Sequence, residues 1–405
     1  MPPSEPTLNT MKSMTVLRGI SWDHSRAFPP AVAAAQRFEE THPGVRVVWE
    51  KHSLNDFGHA PLDVLSQKFD LLIMDHPWMG FAEAHRCLLA LRDRIDPDVL
   101  QGLRDHCAGD SFVSYCWADE LWALPIDAAC PAAFWRADRI QAHGPVPATW
   151  TELTRWAAAG LVLAPGFGPD LVLHLMALCA TEDEGCANHE EYFAPEALAA
   201  ACLEQLRELF SLLPAEVFRL NPIAVHERLS AAKGDDPVYC PFAYTYNNYG
   251  RRGFGANPLT FGDPPTAPSG KALRTVLGGT GLAISAHCKE PRTAVDFACF
   301  ISSANVQRTL YAHAGGQPAR TEAWADALNN ELTGDFFQNT QPAMHRAWTR
   351  PRFNGFPRFQ EQAGPILQGW IQSGGPVRNC LQAMDALWRQ CHPGRQPTTP
   401  HMRPV

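Results

Sequence analysis

Two short clusters in the first eighty residues each combine a carboxylate, an imidazole and an indole: Trp22-Asp23-His24 and Asp75-His76-Pro77-Trp78. A third polar-aromatic run, 237–250, carries Tyr244, Tyr246 and Asn247. An aromatic face beside hydrogen-bonding side chains suits a flat polar solute, whose apolar side stacks on the ring while its hydroxyls meet the polar groups. Trp22, Trp78 and Tyr246 are the stacking candidates, with Tyr244 beside them. Asp23, His24, Asp75 and His76 are candidates for orienting hydroxyls. Farther along, Asp127 reads as a cleft or hinge residue, and Gly279 and Thr280 offer backbone and hydroxyl hydrogen bonds. Gln317 and Arg320 are further cleft candidates, the arginine being suited to an anionic solute. Each has a plainer reading. Twelve tryptophans make core packing the default for any one of them. Asp75 can cap the turn that follows it, and Asn247 can build one.

Catalytic and metal-binding patterns are lacking. The sequence contains no G-x-S-x-G, no G-K-[ST] phosphate loop and no H-E-x-x-H. His24, His52, His59 and His76 could in principle hold a metal, but their spacings match no metal motif. The 12 cysteines are scattered without a C-x-x-C pair and lie mostly in apolar surroundings, as buried small hydrophobes in a reducing compartment do. No cofactor or metal is expected, and the protein reads as a non-enzyme.

Composition narrows the class. Hydrophobic residues at 45% and charged residues at 19% indicate a globular chain, and 405 residues suffice for two or three domains. A net charge of −8 without a basic stripe excludes a nucleic-acid binder. No run reaches the roughly 18 apolar residues of a membrane span. Met1 to Met14 lacks the apolar core of a secretory leader, which reads as a cytosolic start or a leader already removed.

The elements that must position the candidates follow from periodicity. Thr15 to Ile20, Val45 to Trp49 and Phe69 to Met74 read as buried strands separated by helical patterns, Ala31 to Thr41 and Ala60 to Lys68. Strand, helix, strand with short links implies parallel βαβ units, and both indole clusters then fall at carboxyl ends of strands, where open α/β sheets bind ligands. Ser111 to Trp117 and Glu120 to Asp127 read as strands, the second extending into a domain crossing. Trp150 to about Leu220 is mainly helical, with Thr149 as an N-cap. Leu273 to Leu277 reads as a strand, Gly278-Gly279-Thr280-Gly281 as a glycine turn, and Leu282 to Ser285 as a buried strand leading to a helix from about Glu290. Gly315-Gly316-Gln317-Pro318 is a second glycine turn, and the tail is again helical.

The glycine tetrad with Leu282 to Ser285 and Lys289, the helix to Gln307, and Gly315 to Arg320 with Trp324 together resemble the distal part of the family 1 extracellular solute-binding proteins, the carbohydrate-type binding components of ABC transporters. Leu121 to Ala128 resembles that family's first crossing between lobes, and Phe69 to Gly80 its third strand and ligand-side loop. The resemblance spans nearly the whole chain as an ordered set of short motifs. It implies an α/β, bilobal periplasmic-binding-protein-like fold: two α/β lobes joined by a hinge, with the ligand cleft between them. One lobe would comprise 14–127 plus 275–333 and the other, mainly helical, 128–274 plus 334–391, with 1–13 and 392–405 as tails. The loop Gly315 to Arg320 would stand at the cleft rim. It further implies a monomer that captures a small polar molecule, a carbohydrate foremost, and delivers it to ABC permease subunits from the periplasm. Members normally carry a leader or a lipid-modified cysteine. This sequence has neither, which keeps a cytosolic ligand sensor or enzyme on the same fold as the alternative.

Overall fold

Apolar strands alternating with amphipathic helices build a five-stranded sheet, three strands from the first eighty residues and two from later stretches of the chain. The computed structural model describes residues 14–53, 61–183 and 185–392. Its main strands are β1 (Thr15–Trp22), β2 (Val45–His52), β3 (Leu71–Met74), β4 (Ala123–Ala129), β5 (Pro131–Trp135), β6 (Tyr239–Tyr244), β7 (Thr260–Gly262) and β8 (Gly278–Ile284). The first sheet has the order β2-β1-β3-β8-β4. β1 runs parallel to β2 and β3, while β8 is antiparallel to both of its neighbours. The helix Phe28–Thr41 returns the chain from β1 to β2 and buries Ala31, Ala34, Ala35 and Phe38 against this sheet. The helix Pro291–Ser302 follows β8 and packs beside it, Phe38 and Phe297 meeting edge to face at 5.2 Å.

The second sheet is smaller, with the order β6-β5-β7, all antiparallel. Helices dominate around it. Gly168–Glu182 is apolar on nearly all sides and buried on nearly all sides, as a central helix must be. Glu196–Ser211 and Phe356–Ser373 pack on it, and Val377–Cys391 packs on those two. Gly168 and Gly364 allow a close crossing of two of these helices: a Cβ on Gly168 would stand 2.8 Å from the Gly364 carbonyl carbon.

β4 and β5 are separated only by Cys130, so one extended run passes from the first sheet into the second. β8 returns antiparallel beside it, with Gly279 opposite Ala128 and Thr280 opposite Asp127. On the other side of β4 lies 315–318. Asp127 bridges Pro318, the Ala128 N–H donates to the Gln317 carbonyl (3.0 Å), and the Gln317 amide donates to the Ala128 carbonyl (2.9 Å). Three extended segments therefore lie side by side between the two lobes.

The structure alters three local expectations. The glycine tetrad is not a turn ahead of a strand; it is the first half of β8. Gly279 has φ +102° and lies where a Cβ would collide with the Asp127 carbonyl oxygen, so the glycines permit close strand approach. Leu273 to Leu277 is not a strand. It forms a single isolated bridge to Trp348, through Leu277 N–H to Trp348 O and Trp348 N–H to Thr275 O, and its backbone also bonds to the side chains of Thr181, Tyr244 and Arg346. Ser111–Ser114 is a helical turn, with only Cys116–Trp117 extended. There the Ser111 and Ser114 hydroxyls donate to the Ala108 and Ser111 carbonyls, offering the backbone a local alternative to a ladder.

Candidate functional site

The ends of β1 and β3 and the start of β8 face the start of the Gly168–Glu182 helix across a cavity of about 290 Å³. β1 delivers Trp22 at its last residue, and the loop after it delivers Arg26. After β3 the chain makes a single helical turn, His76–Trp78. The Asp75 carboxylate starts it by accepting the His76 N–H (2.8 Å), and Pro77 supplies a pre-set φ. Trp78 is half-buried and meets Phe81 edge to face at 5.4 Å. From the second lobe come Tyr244 and Tyr246 at the end of β6, Phe167, Pro169 and Asp170 at the helix start, and Asn221 and Pro222. The wall is completed by Gly278, Gly279 and Thr280 of β8 and by Arg350, Gln360 and Glu361 of the tail. The Thr280 hydroxyl is buried without a hydrogen-bond partner among the described residues.

Two ion pairs brace this wall. Arg26 grips Asp127 through two nitrogens, Nε donating to Oδ2 at 2.8 Å and Nη2 to Oδ1, and its Nη1 donates to the Thr245 carbonyl at 2.8 Å. Burial alone would push Asp127 up and Arg26 down; the pairing opposes both and leaves the arginine charged. Arg350 donates to Asp75 at 2.6 Å and to Gln360 at 3.2 Å. Burial pushes Asp75 upward, but Arg350 and the His76 contacts outweigh it and hold the carboxyl at about 2. His76 is lowered to about 4 by burial and then by Arg350, so it is neutral. The segment around Arg350 is anchored by Arg352, which donates to the Val113 and Cys116 carbonyls (both 2.7 Å), and by the Gly80 N–H on the Arg352 carbonyl (2.7 Å). Asp170 differs from the other charged groups. Among the described residues its side chain has no hydrogen bond or ion pair, and burial alone raises it to about 8.

Of the candidates read from sequence, Trp22, Asp75, Trp78, Tyr244, Tyr246, Gly279 and Thr280 line the cavity together. The others lie elsewhere, for identifiable reasons. Asp23 is exposed and paired with Lys51 at 2.8 Å. His24 stands behind the wall, its ring 4.7 Å from that of Tyr246 and its Nδ1 accepting the Arg26 N–H. Burial, then Arg26, lowers His24 to about 4. His76 is turned inward, edge to face with Tyr115 at 6.3 Å. Asp127 is enclosed by Arg26. Asn247 and Gln317 are spent on the hinge: the Gln317 side-chain oxygen accepts the Asn247 N–H (3.0 Å), and the Asn247 amide donates to the Gly316 carbonyl (2.8 Å). Arg320, expected with them at the rim, is bound to Glu322 (2.8 Å) and the Gly102 carbonyl (2.9 Å). Gly315 to Pro318 is accordingly a hinge segment. Among the described residues no group of three or more His, Cys, Asp or Glu is placed to hold a metal ion; His59 lies outside them.

The fold of the chain recurs in solved structures. A maltose-bound MalE3 of T. maritima superposes with a TM-score of 0.77 at 15% identity, covering 93% of this chain and 99% of that one. The chain has the bilobal fold of the periplasmic binding proteins. An ABC transporter solute-binding protein from Agrobacterium radiobacter K84, in complex with ribitol, shares it with a TM-score of 0.76 at 18% identity over 93% of this chain and 99% of that one. The GacH receptor of Streptomyces glaucescens, solved with acarbose, gives 0.76 at 15% identity over 94% and 99%. No family model and no curated protein sequence matches the chain. In this fold the cavity lies between the lobes, against the crossing strands.

Sequence reasoning missed Arg26, Asp170, Asn221, Arg350 and the Gln360–Glu361 pair. Asp170 had a usable signal: Gly166-Phe167-Gly168-Pro169-Asp170 before an apolar helix is a helix start, which points backbone and first-turn side chains at a cleft. Arg350 had none, because it reaches the wall only through packing of the tail against Asp75.

Proposed function

We propose that this protein is the solute-binding component of an ABC importer, capturing one small polar molecule, a carbohydrate or polyol, by closure of its two lobes. The observation that carries the reading is the composition of the cavity: indole and phenol rings from both lobes beside hydroxyl, amide and carboxylate groups, against strands that join the lobes. Such a wall stacks a sugar face and reads its hydroxyls. About 290 Å³ is at the small end for ligand pockets, which favours a monosaccharide-sized or polyol-sized solute. Neighbours of the same fold solved with maltose, ribitol and acarbose support the class. Binding biases the open–closed equilibrium by its preference for the closed form, and the protein releases its solute unchanged to permease subunits outside the cytoplasm, acting as a monomer.

A thermal-shift screen of pentitols, hexoses and disaccharides tests this. A ligand at 100 times its dissociation constant adds about 2.7 kcal/mol, a readily visible shift. Trp78→Ala is expected to abolish the shift while the unliganded protein melts close to wild type, since Trp78 is only half-buried. An unchanged shift in that variant removes Trp78 from the site, and conversion of the stabilising compound defeats the non-enzymatic reading.

A further inference from the structure

One carboxyl group at the cavity has no counter-charge among the described residues. Arg26 is neutralised by Asp127, and Arg350 by Asp75. Glu361, exposed at the rim, already has a contact. Asp170 is only 8% exposed, lines the cavity, and has no side-chain partner among the described residues. Leaving a carboxylate in such a position unpaired is costly, so a proton or a cation must meet it.

The surroundings of Asp170 decide between solute charges. Tyr244 and Tyr246 line the same cavity, the Arg26 guanidinium lying 4.8 Å over the Tyr246 ring, and burial pushes both hydroxyls above their ordinary range, so both phenols are neutral. His174, one turn further along the helix, is engaged with the Pro165 carbonyl at 2.9 Å and is lowered to about 4 by burial, so it supplies no charge. Asp170 also occupies the first turn of a 15-residue helix, the place where an anionic solute would otherwise be favoured. A carboxyl there disfavours a second anion, which cannot ionise it, and, beside aromatic faces, suits an ammonium group, which can.

We propose that the cleft reads a protonated amine: its solute class is an amino sugar or amino polyol, with the ammonium on the Asp170 carboxylate and the carbon chain against the rings. This rests on the solute-binding reading above. With Asp170 raised to about 8 by burial, it carries a proton near neutrality until an amine meets it. Binding an ammonium ligand ionises it, and one proton leaves to solvent for each ammonium bound. Affinity for the amine therefore rises with pH up to about 8 and levels off above it, until the amine itself loses its charge.

Calorimetric titration of the full chain with matched pairs, glucamine against sorbitol and glucosamine against glucose, tests the inference. At pH 8 the amine of at least one pair is expected to bind at least about tenfold tighter than its neutral partner. Glucamine affinity is expected to fall roughly fiftyfold between pH 8 and pH 6, two units below the Asp170 midpoint. Repeating the wild-type titration at pH 7 in buffers of different ionisation heat should reveal close to one proton released, and Asp170→Asn should remove the pH dependence. Neutral partners that bind as tightly as the amines, or amine binding without proton release, overturn the amine assignment and leave the solute-binding reading standing. If no member of either pair, nor any compound of the broader sugar screen, binds, both are overturned.

Discussion

At the residue scale, Asp170 is a group whose placement serves binding and burdens the fold. Its folded value of about 8 lies above the ordinary carboxylate value near 3.9. The stability it allows is therefore full below about pH 4 and is lost as pH rises toward 8, by up to about 1.4 kcal/mol per unit. Asp170→Asn is expected to be more stable than wild type at pH 7 and no different at pH 4, as read by urea unfolding at both. A difference that does not change with pH would clear the carboxyl of responsibility. Asp75 has the opposite sign. Held at about 2, it contributes stability above about pH 4 that is lost as pH falls toward 2. Arg350→Met breaks its pair and is expected to cost about 2 kcal/mol at pH 7, less than a fully enclosed pair because the Asp75 side chain keeps 26% exposure. That deficit should shrink below pH 4.

At the scale of elements, the paired strands β4 and β8 are what permit a cleft and a hinge in one place. The glycines of β8 remove the side chains that would hold the strands apart, and the register shifts between Thr280 and Gly281, where Tyr115 fills the space beside the strand. Gly279→Ala combines a left-handed φ with a collision against the Asp127 carbonyl, and a loss of about 2–4 kcal/mol is expected in thermal unfolding. An alanine tolerated at no cost would mean the strand can slide there. The helices that carry the second lobe's wall depend on the same device: Gly168 against Gly364 lets two backbones touch directly behind Pro169 and Asp170.

For the molecule as a whole, the hinge is crossed by specific side-chain bonds as well as by three stretches of backbone. Arg26 of the first lobe reaches the Thr245 carbonyl of the second, and Gln317 ties β4 to Asn247. Closure around a solute should make the particle smaller, and small-angle scattering with saturating ligand is expected to record a lower radius of gyration than without. An unchanged radius would argue against lobe closure as the capture step. All 12 cysteines are free thiols, ten of them buried. A reducing agent should consequently leave the melting temperature where it is.

The amino-acid sequence determined the architecture because local physics encodes it. Alternating strand and helix patterns made β1, β2 and β3 parallel neighbours, and the carboxyl ends of those strands had to carry Trp22, Asp75 and Trp78 to one edge. The tetrad Gly278 to Gly281 marked a place of unusual backbone freedom, although it read as a turn and is the first half of β8. What the tertiary structure alone decided is how each polar group is used. Asp127 and Gln317 were recognisable as polar residues in special segments, yet only the packing of Arg26 and Asn247 beside them assigns them to the hinge. Arg350 joins the wall across 275 positions of chain, through a contact that no pattern along the sequence encodes. Asp170 looks like any helix-start acid until its surroundings are known, because the lack of a partner for a buried carboxyl is a property of everything around it rather than of the residue.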